Sequence, residues 1–204
     1  MPNGSMLQAV NLAQQICWDE GYGYRLRGHA ASHADGVDCG GLVFHCLHNA
    51  GFSVADTSPG VSNMENILRG IGFTILPYDR LTFLPKPGDI FIMNTTGHGH
   101  TFFYMEDIPH YSDYNADSTN ITSSGPCKVE ASSSRGHTGQ GDSQKNGTGA
   151  YWEVWSHAYW SIVDHSTYAD NEVVIARCPW NDITDGGADG VAGAVMLLFK
   201  MVGG

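Results

Sequence analysis

The spacing of apolar positions changes period once along the chain. Up to about residue 70 it is helical. Leu7, Val10, Ala13 and Cys17 share one face of a helix expected over about 6–20, with Ser5 as its N-cap and Gly21 as its stop. Leu42, Val43, Cys46, Leu47 and Ala50 form a second stripe over about 39–50, opened by Asp38 and closed by Gly51. "SNMENILRG" pairs Ser62 with Glu65 in the form of a capping box and predicts a third, short helix. The runs then shorten and become rich in β-branched and aromatic residues. "GFTILPY", "PGDIFIMN" and "HTFFYMED" predict strands, the last two joined by the small turn "TTGHG". Residues 112–149 are dominated by Ser, Gly, Thr, Asn and Asp and predict a long exposed loop or insertion. Order is expected again from "YWEVWSHAYW", followed by the strands "EVVIARC" and "GAVMLLFKMV". Helices first and an antiparallel sheet afterwards is the α+β class, with N-terminal helices packed on the sheet.

Composition narrows the function classes. A chain of 204 residues suits one domain, 1–204, with a full core. No apolar run reaches the ~20 residues of a membrane span, so no membrane partner is expected. "MPNGSMLQAVNLAQQ" lacks a basic start followed by an apolar run. The expectation is synthesis in the cytoplasm without a signal peptide. The net charge of −11 speaks against nucleic acid, which calls for basic patches. Five cysteines, an odd number without a CxxC pair, suggest neither a disulfide framework nor a thiolate zinc site. No HExxH spacing occurs either, and no metal or other cofactor is expected. Cys17 and Cys46, on apolar helix faces, read as core residues.

Cys39 is different. It follows the cap residue Asp38 and precedes Gly40 and Gly41, at the start of the second helix. A helix N-terminus stabilises a thiolate, and its free N–H groups can hold the oxyanion of an acyl intermediate. Glycines there allow a substrate carbonyl to approach the backbone. Such a nucleophile needs a base within hydrogen-bond reach. Of ten histidines, His100 and His137 share the local pattern Gly-His-Thr. His100 opens an apolar strand that can hold its ring, whereas His137 sits in a polar, Gly-rich stretch that cannot. His98, on the turn, is a candidate substrate contact or a solvated turn residue. His45 and His48 ride the Cys39 helix beyond its first turn and are expected to face away from the thiol. Five aromatics in 151–160 could stack on a substrate or pack a core.

"DGVDCGGLVFHCLHNAGF", "KPGDIFIMN" and "GHTFFYMED", in this order, resemble the signature of the NlpC-type and CHAP peptidoglycan hydrolases, and most of all the amidase domains of phage lysins. The likeness covers about 20–115. It implies a papain-like fold, Cys39 as nucleophile, His100 as base, and a tyrosine lining the site, Tyr24 or, second, Tyr22. Asp38, Gly40 and His98 join Tyr24 as expected substrate or oxyanion contacts. Gly40 stands where the family usually has serine. The group that orients the imidazole is expected on the following strand, at His110, with His157 or His165 as alternatives if 107–149 is one insertion. The implied partner is bacterial peptidoglycan, reached after release or export by another route, with a possible separate wall-binding domain or subunit. Two other classes stay open: a silent wall- or protein-binding module, and a cysteine acyltransferase.

Overall fold

The computed structural model describes residues 4–18, 22–32, 34–78, 84–95, 98–105, 127–132, 149–154 and 173–183. Three helices come first: α1 (Met6–Trp18), α2 (Cys39–Asn49) and α3 (Val61–Gly70). Six strands follow: β1 (Thr74–Pro77), β2 (Ile90–Thr95), β3 (His98–Met105), β4 (Cys127–Ser132), β5 (Gly149–Val154) and β6 (Val173–Arg177). They form one sheet in the order β1-β6-β2-β3-β4-β5, and every neighbouring pair is antiparallel. The molecule is α+β.

Local chemistry explains the helix ends. Ser5 Oγ accepts from Gln8 N at 3.1 Å, closing the first turn of α1. Asp182, beyond β6, adds a carboxylate to the same terminus: Leu7 N donates to its Oδ1 at 2.9 Å, and Ser5 Oγ donates to Oδ2. Asp38 caps α2, with Gly41 N donating to its Oδ1 at 2.6 Å. Gly51, at φ 89°, ends α2; its N–H reaches His48 O and Phe52 N reaches Leu47 O, both at 3.0 Å. The capping box expected at α3 is not made. Gly60, at φ 74°, is the cap and no side chain bonds there. Ser62 is already the second helical residue, and Glu65 instead pairs with Arg69 one turn on, at 2.7 Å.

Two further expectations are corrected. The stretch 112–149 is not one loop: β4 lies inside it and β5 begins at Gly149. Cys127, Val129 and Ala131 alternate with Lys128, Glu130 and Ser132, and that period of two finds partners on both sides, β3 and β5. His98 is not on the turn but pairs with Thr95 as the first residue of β3, because the ladder extends almost to the reversal. The expected strand "GAVMLLFKMV" lies outside the described residues.

The sheet is buried on both faces. Ile90, Ile92, Phe103, Met105 and Val129 meet Val10, Leu42, Phe44 and Leu47 from α1 and α2. Phe91, Phe102, Tyr104 and Ile175 cluster on the other face, with the Phe91 and Phe102 rings stacked at 4.9 Å. Each such side chain, fully buried, contributes roughly 1.5–3 kcal/mol. Arg177 on β6 holds the completely buried Asp89 through two bonds of 2.6 and 2.8 Å, fixing the entry to β2. Among the described residues, no helix is long and apolar enough to cross a membrane.

Candidate active site

The loop before α2 is threaded tightly over the helix start. Asp38 N donates to Gly28 O at 3.0 Å, and Val37 N to Gly23 O at 3.0 Å. A Cβ on Gly41 would lie 1.8 Å from Gly28 O, so only glycine fits there. The close approach expected for a substrate at Gly41 is therefore occupied by the chain itself. Gly40 is open: a Cβ there would meet nothing nearer than Ser58 Oγ at 3.4 Å.

Asp38 is 4% exposed, and its carboxylate is spent on this scaffold. Besides Gly41 N it accepts Arg27 N at 2.6 Å and Ser58 Oγ at 2.7 and 2.8 Å. An acceptor so engaged cannot stabilise an oxyanion. It acts instead on the backbone, tying the 25–28 turn, the Ser58 segment and α2 together. Because Gly41 N is taken by the cap, the N–H groups of Cys39 and Gly40 are the helix donors left for a ligand. Among the described residues neither donates to a protein acceptor.

Cys39 is 7% exposed at the first position of α2 and lies against the start of β3. The His100 ring faces both the Cys39 side chain and the Glu130 carboxylate, and both act on its protonation. Its Nε2 lies 2.7 Å from Glu130 Oε2. Glu130, on β4, is 2% exposed. Burial lowers the pKa of His100, but the Glu130 carboxylate and the Cys39 side chain outweigh it, and the ring is pushed up to about 9. The described residues thus hold a thiol, an imidazole and a carboxylate in a line. Sequence reasoning missed Glu130, although the alternation in "CKVEAS" carries the strand it sits on. His110, His137, His157 and His165 lie outside the described residues, as do the side chains of His98 and Cys17.

The other candidates fall in two groups. Tyr24 lines the cleft with Cys39, and its hydroxyl is pushed up to about 12 by burial and by the charges of Cys39 and Asp38. It is a proton-bearing donor at any physiological pH. Tyr22 is partly buried against the helix-side core. His45 and His48 bond away from the site, through Nδ1 to Asp56 Oδ1 at 2.9 Å and to Val54 O at 2.8 Å. Cys46 and Cys178 are buried free thiols; burial pushes Cys46 well up and Cys178 to about 11. Among the described residues no group of three or more His, Cys, Asp or Glu side chains is placed to hold a metal ion.

The cleft at Cys39 has a volume of about 360 Å³; Tyr24, Leu26, Ser58, Val61, Asn94 and Gly99 line it with the helix start. No family model matches the chain, and neither a curated protein nor a solved structure does.

Proposed function

We propose that the protein is a cysteine hydrolase that cleaves an amide bond in the peptide stem of bacterial peptidoglycan, on a papain-like fold. The observation that carries this reading is the line Cys39–His100–Glu130, set at a helix N-terminus and opening on a cleft. The order of motifs that resembles NlpC-type and CHAP hydrolases gives the substrate class.

The chemistry follows from the residues. A protonated imidazole and the N-terminus of α2 both stabilise negative charge on sulfur. The Cys39 thiolate attacks the amide carbonyl, forming a C–S bond. The oxyanion lies at the N–H groups of Cys39 and Gly40, with the Tyr24 hydroxyl as a further donor on the cleft wall. His100 passes its proton to the leaving amine as the C–N bond breaks. The same ring then takes a proton from water, which attacks the thioester and frees Cys39. Glu130 holds the ring in place and stabilises its charged form throughout.

The test is turbidity loss of purified cell walls, with mass spectrometry of the released fragments. The wild-type protein should release stem peptides or cut stems; Cys39→Ala, which removes only the sulfur, should stay folded and release none. A folded Cys39→Ala protein that clears walls at the normal rate would exclude the mechanism. Transfer of the acyl group to an added amine without hydrolysis would replace it by an acyltransferase.

A further inference from the structure

Leu26 stands on the wall of the cleft and is 74% exposed. Leu26 and Val61 are the aliphatic side chains of a lining that is otherwise polar, aromatic or glycine, apart from the nucleophile. The turn that carries Leu26 is closely held. Gly28 N donates to Arg25 O at 2.8 Å, Arg25 N to Val37 O at 3.1 Å, and Arg25 Nη1 to Ala34 O at 3.0 Å. Arg27 N donates to the buried Asp38 carboxylate at 2.6 Å. Arg27 itself has φ 66°, a left-handed conformation that non-glycine residues adopt at a cost and keep only where their surroundings impose it. A strained, many-bonded turn thus holds a leucine out into water, beside the nucleophile and through the residue that caps the nucleophile's helix. Core packing requires none of this.

We propose that Leu26, with Val61, is the specificity surface of the cleft: it packs on a small aliphatic side chain of the residue next to the amide that Cys39 attacks. A cleft of about 360 Å³ with two aliphatic side chains on its wall suits a short peptide segment that carries an aliphatic group. The term substrate here rests on the hydrolase reading; the contact itself does not, and the two can be tested apart.

The experiment measures alkylation of Cys39 by N-iodoacetyl-glycinamide and by both enantiomers of N-iodoacetyl-alaninamide, in the full chain, by mass spectrometry. One alanine enantiomer should react roughly tenfold faster than the glycine probe, the discrimination expected of one methyl group in an apolar site. Leu26→Asn should bring the ratio of the two rate constants close to one, and Leu26→Met, which keeps an apolar side chain of similar volume, should preserve it. Because Leu26 is exposed, both variants should fold, which a melting curve checks. A ratio near one in the wild-type protein, or the full ratio in folded Leu26→Asn, overturns the inference. Wall cleavage is scored separately. Probe selectivity without wall cleavage leaves the Leu26 contact standing and removes the hydrolase reading. Wall cleavage without probe selectivity does the reverse.

Discussion

At neutral pH the His100 ring carries its second proton, because its value of about 9 lies well above that of a free histidine. Glu130 is a large part of the reason, and it also sets the upper pH limit of the proposed reaction. As pH rises through about 9 the ring loses the proton it must give to the leaving amine, so wall hydrolysis should fall. Glu130→Gln keeps the shape of the side chain and removes its charge. Burial then acts with less opposition, and the alkaline limb of the rate profile should move down towards the ordinary histidine range, with a rate loss of roughly tenfold or more at pH 8. An unshifted limb would mean that Glu130 does not act through the ring. Thiol reactivity gives a second check. Burial holds Cys46 and Cys178 as neutral thiols, whereas Cys39 sits at a helix N-terminus beside a cation. Iodoacetamide at pH 7 should label Cys39 at least tenfold faster than either, as read by peptide mass spectrometry. Cys39 and His100 are legible in the sequence because each is marked locally, one by a cap and two glycines, the other by the apolar run that follows it. Glu130 carries no such mark. Its carboxylate occupies the polar position of an alternating strand, and only the pairing of β4 between β3 and β5 turns that position inward.

The start of α2 is built so that its two glycines do different things. Gly41 is wedged under Gly28 O, and any Cβ there must push the 25–28 turn off the helix. Gly41→Ala should therefore cost about 2–4 kcal/mol and lower the melting temperature by roughly 5–15 °C. Gly40→Ser meets only ordinary contacts and should melt within about 2 °C of the wild type. Equal melting temperatures for the two variants would show that the turn yields without cost. Sequence spacing makes the helix visible, because Asp38, Gly51 and the stripe between them are local signals. It does not separate the two glycines, since what distinguishes them is a carbonyl thirteen positions upstream. The same limit explains α3: Ser62 and Glu65 have the spacing of a capping box, but Gly60, at φ 74°, is already the cap, two residues before Ser62.

Across the whole molecule, the chain closes on itself late. β6 inserts between β1 and β2, Arg177 holds Asp89, and Asp182 reaches back to the start of α1. The α+β order of elements is legible because the hydrophobic period changes only once. The strand order is not, because a strand's own residues do not name its neighbours, which are chosen by tertiary pairing. One consequence couples the site to the stability of this sheet. His100 and Glu130 lie on β3 and β4, and their ion pair exists only when those strands are paired. The folded value of His100, about 9, is above its unfolded value near 6.5. A group raised in this way contributes stability that is fully present below the unfolded value and is lost as pH rises through the folded one. The melting temperature of the wild-type protein should therefore decline between about pH 6.5 and pH 9. His100→Gln, which has no titrating ring, should be less stable than the wild type at pH 6 and should show a flatter profile over the same window. Differential scanning calorimetry at half-unit pH steps measures both curves. Parallel curves for the two proteins would show that the His100–Glu130 pair does not contribute to holding β3 and β4 together.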